Sequence, residues 1–238
     1  RLSKQQMCLK EHGLPVLVLM EGWGAAGKGS LIGKIIKNID PRFFKVATME
    51  NIGDQEDRYP FLHRYFVQIP EAGKFTFLDS GWMNEICMGR ARKELDSKEY
   101  AKKVESVQRF ERQLVDNGYL VMKFFCHISR EEQKKRMDKL SEKKDTRWRV
   151  SEEDVWQNKH YKRCLKIFDN YLRDADSPVS PWYLVDASCE KWAQLQILEA
   201  LCRGIEIAME NRKRAVLIPQ NVFSLKNMPQ IIEVGLVK

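Results

Sequence analysis

The sequence predicts an α/β sandwich on a mainly parallel sheet of about five strands. Three observations carry this reading: continuous apolar runs of strand length, helical segments between them, and a glycine-rich turn joining the first run to the first of those helices. A strand buried on both faces of a parallel sheet reads as unbroken hydrophobics, because neither face meets water.

Residues 15–20, PVLVLM, form the first such run, and a helix from about Gly27 to Asn38 follows the turn. KVATM at 45–49 is the second strand, helical residues lie near 57–68, and KFTFLD at 74–79 is the third strand. From Ser97 to Asn117 a helix carries Tyr100, Val104, Val107, Phe110, Leu114 and Val115 on one stripe, with Gly118 placed to cap it. YLVMKFFCHI is the fourth strand. Ser129 and Glu132 read as a capping box for EEQKKRMDKL, and the polar, basic SEKKDTRWRV at 141–150 breaks that helix. Ser151 opens a helix that carries to about Asp174, the turn DSPVSP leads into the fifth strand WYLVDA, and a last helix runs from about Cys189 to Arg212. Residues 215–238 are apolar but hold two prolines and no sustained period, so they read as an extended arm or a linker.

At 238 residues the chain supports one sizeable core. Its formal charge of +8, spread along the chain, points to a polyanionic partner: nucleotides, inorganic polyphosphate or nucleic acid, the last without any recognition motif. Six cysteines show no C-x-x-C pair and no metal-like spacing with the four histidines, which argues against a zinc site or disulfide scaffold and fits a reducing cytoplasm. No apolar run approaches the length of a membrane span and the first residues lack a signal-peptide core, while Arg at position 1 reads as a fragment of a longer chain.

The chemistry concentrates in Gly22-Trp-Gly-Ala-Ala-Gly27-Lys28-Gly29-Ser30, a G-x-x-x-x-G-K pattern between a strand and a helix. Gly22, Gly24, Ala25, Ala26, Gly27, Lys28, Gly29 and Ser30 are the candidate phosphate-binding residues: backbone amides and a helix N-terminus face the anion, and Lys28 reaches the transferred phosphoryl. The plain alternative is a glycine turn. Asp79 ends the third strand, where a carboxylate holds Mg²⁺ directly or through water, so Lys28 and Asp79 are the candidate catalytic pair.

The chain resembles the type 2 polyphosphate kinase family over nearly all of residues 10–210. Glu21 to Gly29 matches E-G-x-x-A-A-G-K-G; Glu56, Phe61, Arg64 and Tyr65 match E-x4-F-x-R-Y; Ile69-Pro70 and Gly73 follow as in its L-P-x-x-G. Asp79, Trp82 and Asn84 keep parts of D-R-S-W-Y-N-R, and Phe110-Glu111-Arg112 with Leu114, Gly118 and Lys123-Phe124 resembles F-E-x-x-L...G...K-F. Ile128-Ser129, Glu132-Gln133 and Arg136 resemble I-S-x-x-E-Q-x-x-R; Trp148, Ser151 and Asp154 resemble the basic lid W-K-x-S-x-x-D; Pro181-Trp182 resembles A-P-W.

The resemblance implies a P-loop kinase-like three-layer α/β/α sandwich over residues 1–214, with a helical lid at about 141–175. It implies Mg²⁺, and inorganic polyphosphate with AMP or ADP as substrates, most simply AMP converted to ADP. It further implies a homo-oligomer and no membrane or specific nucleic-acid partner. Arg64, Arg112 and Arg136 would bind phosphate, although Arg64 and Arg112 have structural alternatives in salt bridges to Glu56 or Glu111. Arg147, Trp148 and Arg149 would close over the nucleotide. Residues from Met228-Pro229 to Val237 look like the entry to a second copy, making this the first domain of a tandem protein.

The chain also departs from the family. Gly24 stands where the family has aspartate, Ser80 and Glu85 replace two arginines, and Asp57 replaces a basic residue. Glu85 is expected to add repulsion beside a polyanion. These losses motivate a rival reading: a degenerate module that binds polyphosphate or nucleotide and supports an active partner domain. Two simpler possibilities stand against that rival: Arg58, Arg90 or Arg92 supplies the missing charge, or a short deletion shifts the alignment around 80–92.

Overall fold

A computed structural model describes residues 1–49 and 58–215 of the chain. Glu56, Asp57, the start of the expected 57–68 helix and the arm beyond residue 215 lie outside the described residues. Five strands form one sheet in the order β2-β3-β1-β4-β5. They are β1 (Val16–Gly22), β2 (Phe44–Thr48), β3 (Phe75–Asp79), β4 (Leu120–His127) and β5 (Trp182–Asp186). All four pairings are parallel. β1 is central and buried along its whole length, as its unbroken apolar run requires.

Helices cover both faces. α1 (Leu2–His12), α2 (Lys28–Ile36) and α9 (Glu190–Ala215) pack together on one side; α4 (Trp82–Arg92), α5 (Ser97–Asp116) and α8 (Tyr161–Asp174) form the other. α3 (His63–Phe66), α6 (Arg130–Glu142) and α7 (Glu152–Lys159) complete the order, with 3-10 turns at 41–43 and 147–149. The architecture is the three-layer α/β/α sandwich with a parallel sheet.

Several elements differ from expectation. The helix expected over 57–68 amounts, among the described residues, to the single turn α3. The helix expected to run from Ser151 to Asp174 is two, broken at His160 (φ −107°, ψ 27°). Ser129 accepts from the Glu132 N–H at 3.1 Å, but the Glu132 carboxylate binds Arg136 and Lys135, so only half of that capping box forms. Complete boxes stand at Asp96 and Glu99 on α5 and at Ser151 and Asp154 on α7.

The core is stapled by a fully buried ion pair, Lys123 Nζ to Glu111 Oε2 at 2.7 Å, with the Ser180 hydroxyl donating to the same oxygen at 2.6 Å. It joins β4, α5 and the entry to β5. Registers Met20↔Asp79, Gly22↔Cys126 and His127↔Asp186 bring the carboxyl ends of β1, β3, β4 and β5 to one edge of the sheet. That edge carries the loop of residues 22–28 and the ligand crevice of such folds.

Candidate active site

The loop leaves β1 at Gly22, whose φ of 129° and contact with the Cys126 backbone exclude any side chain. Trp23 is fully buried, stacks on Tyr161 at 3.9 Å between centroids, and donates its indole N–H to His127 Nδ1 at 3.2 Å. The Ala26 N–H closes a turn on the Trp23 carbonyl at 3.2 Å, with Ala25 held left-handed at φ 58°. Gly27 is the N-cap of α2, so the amides of the first helical turn have no partner within the helix and point at the crevice.

Lys28 and Asp79 meet there. A Cβ on Gly29 would lie 3.0 Å from Asp79 Oδ2, so the glycine after the lysine is what lets the carboxylate sit against the start of α2. Burial pushes the Asp79 carboxyl above its ordinary value, and the Lys28 ammonium pulls it part of the way back. Lys28 Nζ donates to the Trp23 carbonyl at 3.2 Å. Beneath them, the fully buried Glu21 accepts through Oε1 from the amides of Met83 at 3.0 Å and Asn84 at 3.4 Å, capping α4 from outside. Burial pushes its carboxyl up to about 7 against Lys28 and those amides.

Other expected site residues fall in different places. Ser30 is exposed and its hydroxyl donates to Glu190 Oε1 at 2.6 Å, so it faces α9 and leaves only its amide to the crevice. Arg136 spans the loop and the β5–α9 turn: Nη1 donates to the Ala26 carbonyl at 3.0 Å and Nη2 to the Ala187 carbonyl at 2.7 Å, with Nε on Glu132. It clips the loop backbone. Arg112 does not join the site. It is exposed, pairs with Asp116 at 2.9 Å, and lies in the last turns of α5, which lead to the opposite edge of the sheet. Its expected partner Glu111 is taken by Lys123.

Arg64 pairs with Glu85 Oε2 at 3.4 Å. Glu85 also takes Lys103 at 3.2 Å and the Tyr65 hydroxyl at 3.3 Å, so the expected repulsion is corrected: the glutamate is neutralised by its own neighbours. Arg90 donates to the Leu95 carbonyl and the Ser97 hydroxyl, and Arg92 pairs with Glu153 on α7 at 3.0 Å. These are structural engagements of two of the three cations expected to substitute; the third, Arg58, is exposed. Arg147, Trp148 and Arg149 form the 3-10 turn; Trp148 is 75% exposed with Arg149 over its ring at 5.4 Å. Sequence reasoning missed Gln133, Gln157 and Asp154 as loop contacts and Glu190 as the partner of Ser30. Gln133 and Asp154 were visible as parts of the family motifs, and Gln133 also by sharing a helix face with Arg136 three residues on, but neither pattern says that they touch the loop.

A family model described as Polyphosphate kinase 2 matches residues 1–214, and the chain belongs to that family. It is 27% identical over 215 residues to the polyphosphate:AMP phosphotransferase of Pseudomonas aeruginosa, covering 90% of this chain and 43% of that one. It is 27% identical over 204 residues to ADP-polyphosphate phosphotransferase 3 of Rhizobium meliloti, covering 86% and 72%. The crystal structure of polyphosphate kinase 2 from Arthrobacter aurescens superposes with a TM-score of 0.83 at 20% identity, covering 91% of this chain and 82% of that one, a likeness of fold. The chain thus spans less than half the length of the Pseudomonas relative.

Proposed function

We propose that this polyphosphate kinase 2 domain transfers a phosphoryl group between inorganic polyphosphate and a nucleotide, AMP being the acceptor and ADP the product. The observation that carries the reading is the meeting of Lys28, Asp79 and the amides at the N-terminus of α2 at one edge of the sheet. An oxygen of the nucleotide phosphate attacks the terminal phosphorus of the chain. The P–O bond to the next phosphate breaks, and its electrons stay on the bridging oxygen of the shortened polyphosphate. The attacking oxygen is already ionised at neutral pH, so positioning and charge carry the rate. Lys28 exchanges the Trp23 carbonyl for the transferring phosphoryl, and the loop amides hold its neighbours. Arg64 and the lid arginines Arg147 and Arg149 receive the rest of the polyanion.

Mg²⁺ fits Asp79, whose charged form is penalised by burial and offset by Lys28 only in part. Among the described residues no group of three or more His, Cys, Asp or Glu could cage a metal, so the ion would be shared between Asp79 and substrate phosphates, as Mg²⁺ commonly is. Bound there, it would neutralise charge on the phosphoryl oxygens. We further read residues 1–214 as the catalytic domain with its lid at 141–175, working as a homo-oligomer. The 43% coverage of the Pseudomonas relative supports a second domain beyond this one.

The test is phosphorus NMR of the chain with polyphosphate, AMP and Mg²⁺, run beside Lys28→Ala. ADP from the unaltered chain alone is the expected result. No ADP from a folded chain would refute the proposal for this domain.

A further inference from the structure

Gly24 is gripped from the lid side of the loop. Its N–H donates to Gln157 Oε1 at 2.9 Å, and its carbonyl accepts from Gln133 Nε2 at 3.2 Å. Gln133 Nε2 also donates to Gln157 Oε1 at 3.1 Å, and Asn158 Nδ2 donates to Gln133 Oε1 at 3.0 Å. Gln133 and Gln157 are 0% and 2% exposed. A Cβ on Gly24 would lie 1.8 Å from Asp154 Oδ1, whose Oδ2 accepts from the Ser151 N–H. The first turns of α7 are therefore seated directly on the loop, and a side chain at position 24 fits only if Asp154 moves.

The direction of these bonds matters. In a planar trans peptide the carbonyl and the next N–H point opposite ways. A Gly24 carbonyl turned toward Gln133 aims the Ala25 N–H the other way, and an Ala26 carbonyl turned toward Arg136 does the same for the Gly27 N–H. Carbonyl oxygens repel phosphate oxygens, so a cradle needs them faced outward. The Gly24 N–H, by contrast, is spent on Gln157 and is not a phosphate ligand. Ala25, between the two gripped peptides, sits at φ 58°, a conformation that a non-glycine residue holds only when its surroundings impose it.

We propose that Gln133 and Gln157 are positioning residues for the phosphate loop, and that α7 of the lid docks on the loop at Gly24 through Asp154. The proposal rests on the reading that the loop takes the phosphates of polyphosphate. The two are separable because its first readouts need no turnover.

The experiment compares Gln157→Met, which keeps the shape and loses the acceptor, with Gln157→Glu, which keeps an oxygen for both donors. Amide exchange of the 21–30 segment should quicken at least about tenfold in Gln157→Met, as loss of a buried hydrogen bond predicts, and stay near the unaltered rate in Gln157→Glu. Affinity for inorganic polyphosphate should fall about tenfold in the first variant and recover most of that loss in the second, with nucleotide affinity held within about twofold. No change in Gln157→Met, or equal loss in both variants, overturns the proposal. Should either variant fail to fold, Gly24→Ala decides: its exchange and binding defects must be relieved in Gly24→Ala/Asp154→Ala, and a double variant no better than the single overturns it. An unaltered chain that binds polyphosphate but yields no ADP would sink the proposed reaction and leave this inference to the exchange and binding results.

Discussion

Glu21→Gln isolates the cost of the buried carboxylate under the loop. Glu21 is fully buried, Oε1 accepts two amides of α4, and Oε2 has no partner. Its carboxyl is raised from an ordinary 4.5 to about 7. The sign follows from proton counting: between those values the folded chain holds a proton that the unfolded chain has released, so stability falls as pH rises through this window. At 1.36 kcal/mol per unit, the 2.5-unit gap costs about 3 kcal/mol once pH exceeds 7. Glutamine mimics the protonated form and carries no such term. The raised carboxyls of Asp79 and Glu111 slope the same way and remain in the variant. Urea unfolding at constant m from pH 4.5 to 8 should therefore show the two proteins nearly equal near pH 4.5 and Glu21→Gln ahead by about 3 kcal/mol at pH 8. Parallel curves would refute the reasoning, because they would mean that Glu21 titrates alike in both states.

The Lys123–Glu111 pair is fully buried, so Lys123→Met should cost about 3–5 kcal/mol by stranding a carboxylate, whereas Lys123→Met/Glu111→Leu should recover most of it; urea midpoints decide. Asp79→Asn should abolish ADP formation yet leave stability at pH 7.5 unchanged or higher, since burial already penalises its charged form; activity and melting read on one sample check both halves. Trp148→Ala at a side chain 75% exposed should alter stability by under about 0.5 kcal/mol and raise the nucleotide KM, measured against an unchanged polyphosphate KM.

The three inner strands β1, β3 and β4 were legible to within a residue or two because parallel strands buried on both faces are unbroken apolar runs. Two helices were not. α4 buries Trp82, Met83, Ile86, Cys87, Met88 and Ala91 around most of its circumference, so it has no polar stripe to reveal its period. α1 errs the other way, burying only Leu2 and Leu9 in a polar segment. The break at His160 has neither glycine nor proline to announce it. In the site, the loop and Asp79 were readable as motif and strand end. The ownership of side chains was not: Ser30 is claimed by Glu190, 160 residues away, and Gly24 by Gln157, 133 residues away. No local pattern encodes such contacts.

The departures from the family pattern look different once partners are known. Read along the chain, Glu85 for arginine is a reversal of charge, yet in the fold Glu85 sits between Arg64 and Lys103 and the cluster keeps one net positive charge. With Lys103 on one oxygen and Tyr65 on the other, Glu85 keeps partners besides Arg64. Gly24 likewise is no mere deletion. Its missing side chain is the space that Asp154 occupies, so a side chain there requires the Asp154 carboxylate to move. Whether these substitutions spare activity therefore turns on the side chains they touch, Asp154, Lys103 and Tyr65, as much as on the altered positions themselves.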